Sequence, residues 1–121
     1  MIFMINKISI IGGDLRIVKL AEMLIEEGVE VFSYGLEKAE VTDLNHSESF
    51  EEAINKSEII LGPIPFSSNG KTINTPFSNN KILVEEFLKA MCGKILIAGA
   101  IKQEVYETAS ENNIKVIDIV K

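Results

Sequence analysis

The sequence predicts an α/β domain: a three-layer, Rossmann-like or flavodoxin-like fold around a five-stranded parallel sheet. Three observations carry that expectation. Short runs that are apolar on both faces recur, such as Ile8-Ser9-Ile10-Ile11 and Ile95-Leu96-Ile97-Ala98, and such runs suit strands covered by helices on either side. Amphipathic stretches of helical spacing separate them. The resulting β-α-β-α-β-α-β-α-β alternation makes a parallel sheet with right-handed crossovers. Strand orders 2-1-3-4-5 and 3-2-1-4-5 both fit, and the first is favoured because five strands complete it.

The first strand is read at residues 7–11, ended by Gly12-Gly13. A helix follows from Asp14 to Glu27, with Ile17, Leu20, Ala21, Leu24 and Ile25 on its inner face and Gly28 as its stop. Val29–Tyr34 is the second strand, closed by Gly35. Residues 36–47 read as irregular, anchored by Val41 and Leu44. Ser47 or Ser49 then caps a short helix running to Lys56, with Phe50, Ala53 and Ile54 inward. Glu58–Gly62 is the third strand.

The stretch from Pro63 to Ser78 holds all three prolines and centres on Ser67-Ser68-Asn69-Gly70. Asn-Gly between short β-prone runs favours a tight hairpin turn, and a loop of this length in a compact domain is functional or disordered. Phe66, Ile73 and Phe77 argue that it packs. Asn79 or Asn80 caps the next helix, with Leu83, Val84, Phe87, Leu88 and Met91 inward. Lys94–Gly99 is the fourth strand, Lys102–Asn112 a helix, and Lys115–Val120 the fifth strand. No covering helix follows that strand, which reads as a domain cut from a longer protein, with a small five-stranded protein as the alternative.

Bulk properties narrow the function. The 121 residues suffice for one domain with a core. A net charge of -6 argues against nucleic acid as a partner. No apolar run approaches the roughly 20 residues of a membrane span, and the apolar N-terminus lacks the basic start and cleavage site of a signal peptide. A single cysteine, Cys92, rules out an intrachain disulfide and fits a reducing cytoplasm. Next to Gly93 at a helix end, it reads as a small buried side chain.

In either strand order a ligand sits beyond the carboxyl ends of the strands. That edge carries Gly12-Gly13-Asp14-Leu15-Arg16, the 62–78 loop, and Gly99-Ala100-Ile101. The first turn is a poor dinucleotide fingerprint. G-x-G-x-x-G spacing is absent, and no ribose-binding acid closes the second strand. Asp14 at the helix start would repel a pyrophosphate. Arg16 can instead aim its planar fork at a carboxylate, or simply pair with Asp14 as the latter caps the helix. A phospho-accepting receiver needs an acid pair after strand one and an Asp after strand three, and neither is present. The Ser/Thr-rich phosphate loop of a flavodoxin is absent too. His46, the only histidine, reads as a solvated loop residue, and Asp118 as a marker of the last strand's edge. No metal-ligand cluster and no Ser-His-Asp set is apparent.

Taken together, Ile10-Ile11-Gly12-Gly13-Asp14-Leu15-Arg16, Gly62-Pro63-Ile64-Pro65-Phe66-Ser67, Thr75-Pro76-Phe77-Ser78-Asn79 and Ile97-Ala98-Gly99-Ala100-Ile101 resemble the start of the A-subunit of dipicolinate synthase, in order and over nearly the whole chain. The resemblance implies an oxidoreductase of sporulation that oxidises a dihydrodipicolinate-type dicarboxylate with NAD or NADP, alongside the flavoprotein-like B-subunit of dipicolinate synthase. It implies that residues 1–121 form a substrate-side N-terminal domain, with the nicotinamide cofactor held by a domain outside this chain and the isolated domain inactive. The positions carried over as substrate-binding are Gly12, Gly13, Asp14, Arg16, Pro63, Pro65, Thr75, Ser78 and Gly99. Arg16 is expected to meet one carboxylate, with the Gly12-Gly13 backbone and the Thr75 and Ser78 hydroxyls completing the cradle. The rival reading is a non-catalytic module that binds a nucleotide or a protein partner, including a second copy in a homodimer.

Overall fold

The computed structural model describes residues 6–120; the apolar stretch 1–5 and Lys121 lie outside the described residues. All strands of the sheet run parallel. They are β1 (Lys7–Ile11), β2 (Glu30–Tyr34), β3 (Asn45–His46), β4 (Ile59–Leu61), β5 (Ile95–Ala98) and β6 (Lys115–Asp118), in the spatial order β3-β2-β1-β4-β5-β6. The five strands expected from the sequence stand in the expected relative order. The sixth is the two-residue β3 at the edge, within a region whose sequence looks irregular. It pairs Asn45 with Phe32 and His46 with Ser33. With it the complete order is the 3-2-1-4-5-6 arrangement, whose ligand crevice lies between β1 and β4. No helix links β2 to β3. The connection is tied down by Leu36 and Leu44, both buried.

Among the described residues four helices cover the sheet: α1 (Leu15–Glu26), α2 (Phe50–Asn55), α3 (Val84–Ala90) and α4 (Gln103–Glu111). Period-two alternation along the strands splits the core in two. Ile8 and Ile10 face α1, with Ile17, Val18 and Ala21. Ile11, Ile60, Leu96 and Ala98 face the layer of α2, α3 and α4. Ser9 is buried on that second face without loss, because its hydroxyl donates to the Ala53 carbonyl at 2.6 Å. Asp14 caps α1, accepting from Arg16 N–H, and Ser49 caps α2, accepting from Glu52 N–H.

Three local expectations need correction. The helix expected to start at Asn79 or Asn80 begins at Val84, and Leu83 is 48% exposed. Residues 71–84 run as an antiparallel pair instead: Ile73 N–H donates to the Ile82 carbonyl at 2.9 Å and Val84 N–H to the Lys71 carbonyl at 2.8 Å. That pairing holds the chain extended up to Leu83. Asn69-Gly70 does turn the chain, with Gly70 at φ +78, but as a wider loop than a two-residue hairpin. Asn69 Oδ1 accepts from the N–H groups of Lys71 and Thr72. Cys92 is exposed rather than buried, because α3 has already ended at Ala90 and the chain is turning toward Gly93.

Candidate functional site

The glycine turn after β1 is packed from above by the 63–83 loop. Gly12 has φ +69, and a Cβ there would stand 2.6 Å from the Asn74 carbonyl oxygen. Glycine is required both for the backbone conformation and for that close approach. Gly12 N–H donates to the Tyr34 carbonyl at 2.8 Å, and Gly13 N–H to the Asn74 carbonyl at 3.1 Å. These are the N–H groups that an open turn would present to a ligand's anion. Here the protein's own carbonyls use them, so neither is free to complete the expected cradle. The helix start is likewise engaged: Arg16 N–H goes to the Asp14 carboxylate, and the N–H groups of Ile17 and Val18 go to the Asp14 carbonyl.

Arg16 pairs with Asp14 and also reaches across the edge. Its Nε and Nη2 clasp the Asp14 carboxylate at 2.9–3.3 Å, and Nη2 also donates to the Ile64 carbonyl at 2.6 Å. The guanidinium therefore bolts the glycine turn to the loop after β4, yet its side chain stays 64% exposed. The hydrogen bonds from Arg16 hold the Asp14 carboxyl below its ordinary range, outweighing the opposing effect of burial, and the same contact pushes Arg16 up. Both groups stay charged at neutral pH.

Next to this clasp lies an open cleft of about 660 Å³. Asp14, Pro65, Thr75 and Ser78 line it, so four of the residues expected to bind substrate share one wall system, with Arg16 beside them. Pro65 follows a cis peptide bond. The hydroxyls are partly engaged: Thr75 Oγ1 donates to the Asn80 carbonyl at 3.1 Å, and Ser78 Oγ accepts from Asn80 N–H at 3.1 Å. Pro63 and Gly99 are not brought to this surface. Both are buried, and a Cβ on Gly99 would stand 2.6 Å from Val120 and 2.8 Å from Ile64. Their place is in the packing beneath the loops.

Three further groups at this edge are not marked as site residues by the sequence. Asn74, Asn79 and Lys81 line the cleft. Asparagines and a lysine in a loop have no periodicity, and only the folding back of residues 71–84 gathers them. Asp118 is more than an edge marker: its carboxylate accepts from the N–H groups of Ala100 and Ile101 at 3.2 and 2.9 Å and from Val120 N–H at 2.9 Å, clamping the turn after β5. His46 is exposed on β3, its Nδ1 3.3 Å from Ser33 Oγ. Among the described residues no group of His, Cys, Asp and Glu could hold a metal ion. Among them, too, no helix is long and apolar enough to cross a membrane.

The sequence profile of the N-terminal domain of the dipicolinate synthase A-subunit matches residues 7–120. Comparison with curated proteins finds no match. Among solved structures, the A chain of dipicolinate synthase from Bacillus subtilis superposes with a TM-score of 0.79 at 18% identity, covering 97% of this chain and 41% of that one. The dipicolinate synthase A-subunit from Bacillus halodurans gives 0.78 at 20% identity, over 94% of this chain and 40% of that one. An imine reductase V8 variant from Myxococcus stipitatus in complex with NAD+ gives 0.62 at 14% identity, over 95% and 40%. The chain thus spans about two fifths of the length of these structures, and at such identities the likeness is one of fold. With a profile match across all but the ends of its length, this chain belongs to the family of dipicolinate synthase A-subunit N-terminal domains.

Proposed function

We propose that this domain is the substrate-side part of an oxidoreductase like the dipicolinate synthase A-subunit. In this reading the whole enzyme oxidises a dihydrodipicolinate-type dicarboxylate in the cytoplasm during sporulation. NAD or NADP is held mainly by a further domain outside these residues, and the B-subunit is a partner. The observation that carries the reading is the family match over residues 7–120, together with coverage of only about two fifths of the solved relatives. The site chemistry supports it. A dicarboxylate needs exposed cations and N–H or O–H donors, and the cleft beside Arg16 offers both. Asp14, Arg16, Pro65, Thr75 and Ser78 are the residues assigned to substrate, with Arg16 presenting the exposed edge of its guanidinium to one carboxylate. Holding the ring by its carboxylates would fix its orientation in the cleft, while the nicotinamide cofactor would supply the hydride acceptor. The engaged N–H groups of Gly12 and Gly13 weigh against the rival module that binds a nucleotide at this turn.

Calorimetric titration of the chain with dipicolinate and, separately, with NADPH tests the reading. Dicarboxylate binding without nucleotide binding is the expected result. Tight nucleotide binding by this chain alone would overturn it.

A further inference from the structure

The cleft is unbalanced in its hydrogen-bonding groups. Several of its acceptors are consumed inside the protein. The Asp14 carboxylate is taken by Arg16, and Asn74 Oδ1 accepts from Ser68 Oγ at 3.2 Å. The Pro65 carbonyl accepts from Asn74 Nδ2 at 2.7 Å, and the Asn80 carbonyl accepts from Thr75 Oγ1. The donors of Ser68, Asn74 and Thr75 are consumed in those same bonds, but two side chains on the wall keep theirs, Asn79 and Lys81. Lys81 is exposed and its Nζ has no ion pair or hydrogen bond among the described residues. Asn79 is held in one orientation, because Lys38 Nζ donates to its Oδ1 at 2.6 Å. That bond leaves the Asn79 amide with its N–H₂ to offer. The Lys38 ammonium, arriving from the turn after β2, keeps further N–H groups of its own. A wall with N–H donors to spare suits an anionic group such as a carboxylate.

We propose that Asn79 and Lys81, with Lys38 behind them, form a second carboxylate subsite, and that the cleft takes a small dicarboxylate between this subsite and Arg16. The inference rests on the substrate-side reading above and adds to it the residues that distinguish a dicarboxylate from a monocarboxylate. Asp14 and Pro65, which lie next to the contacts of Arg16, line the same cleft as Lys81. A ligand bound across this cleft would lie between Lys81 and the Asp14–Arg16 clasp at its rim. Asp14 and Arg16 neutralise each other, so the net positive charge on this wall is that of Lys81, while Arg16 contributes the N–H groups of its guanidinium that Asp14 and Ile64 leave unused.

The test is an NMR titration of the 15N-enriched chain with pyridine-2,6-dicarboxylate, run in parallel with pyridine-2-carboxylate. Shifts are expected at Asn79, including its side-chain amide, and at Lys81. Lys81→Gln is expected to weaken dicarboxylate binding about tenfold and to erase most of the preference over the monocarboxylate. Lys38→Gln is expected to weaken it less, through loss of the Asn79 orientation. Lys81 is exposed, so the variant's amide spectrum should match the parent's away from the cleft. Shifts confined to Arg16 and Ile64, with unchanged affinity in Lys81→Gln, would overturn this inference while leaving the substrate-side reading standing. Absence of shifts anywhere with the dicarboxylate would overturn both.

Discussion

Asp14 shows how one side chain can serve structure and electrostatics together. It caps α1 and holds Arg16 in a forked ion pair. Replacing it with Ala removes the cap, and such losses are typically about 0.5–2 kcal/mol. The pair itself adds little, since both side chains are substantially exposed. The dependence on pH has a definite sign. Arg16 depresses the Asp14 carboxyl below its ordinary value of 3.8 in the folded state. Its charge therefore stabilises the fold above that value, and the contribution fades as acid protonates the folded carboxylate. Urea unfolding of the parent and of Asp14→Ala should show the largest gap near neutral pH and a shrinking one below pH 3.8. A gap that widens in acid would contradict the assignment.

At the level of elements, the turn after β5 depends on Asp118, the last residue of the neighbouring strand, paired with Ala98. Ala100 sits at φ +52, a left-handed conformation that alanine adopts at a cost. The Asp118 carboxylate compensates by accepting from the N–H groups of Ala100 and Ile101. Asp118→Ala removes the charged acceptor from both donors; the Ala100 N–H can turn to water while the Ile101 N–H is half-buried, so the expected loss is about 1–3 kcal/mol. Hydrogen exchange should quicken at Ala100 and Ile101 before the rest of β5 is affected, and Asp118→Asn should lose less. The same scale explains where sequence patterns are legible. Strands β1, β2, β5 and β6 and helices α1 and α4 announce themselves through apolar runs and helical periodicity. Strand β3 does not, since two polar residues at an edge carry no period. The start of α3 is hidden because Asn79 and Asn80 are good caps in isolation, while pairing of residues 71–73 with 82–84 keeps the chain extended beyond them.

For the whole molecule, the two faces of the sheet are unequally covered. The face with α2, α3 and α4 is closed around Phe66 and Phe87, whose ring centroids lie 5.6 Å apart. The face with α1 is covered over β1 and β2, while Ile117 and Ile119 toward the β6 edge are 41% and 59% exposed. Stability should therefore be concentrated on one side. Phe87→Ala is expected to cost about 3–5 kcal/mol. Ile119→Ala should stay within about 0.5 kcal/mol. Thermal or denaturant unfolding of the two variants checks the contrast, and similar losses in both would mean that the β6 face is buried in solution.

Local periodicity and the handedness of β-α-β crossovers are enough to establish the class of fold and its five main strands and to narrow their order to two arrangements, of which the structure shows the favoured one extended by β3. Both are written into neighbouring residues, so a linear reading reaches them. The role of the glycine turn is of another kind. Gly12 and Gly13 look free to receive an anion until Asn74, far along the chain, is seen to occupy Gly13 N–H with its carbonyl. The donor-rich wall of Asn79 and Lys81 has the same origin. Asn79 and Lys81 are near neighbours in the chain, but Lys38, which orients Asn79, and Asp14, which lines the same cleft, come from distant segments, and no local pattern records those contacts.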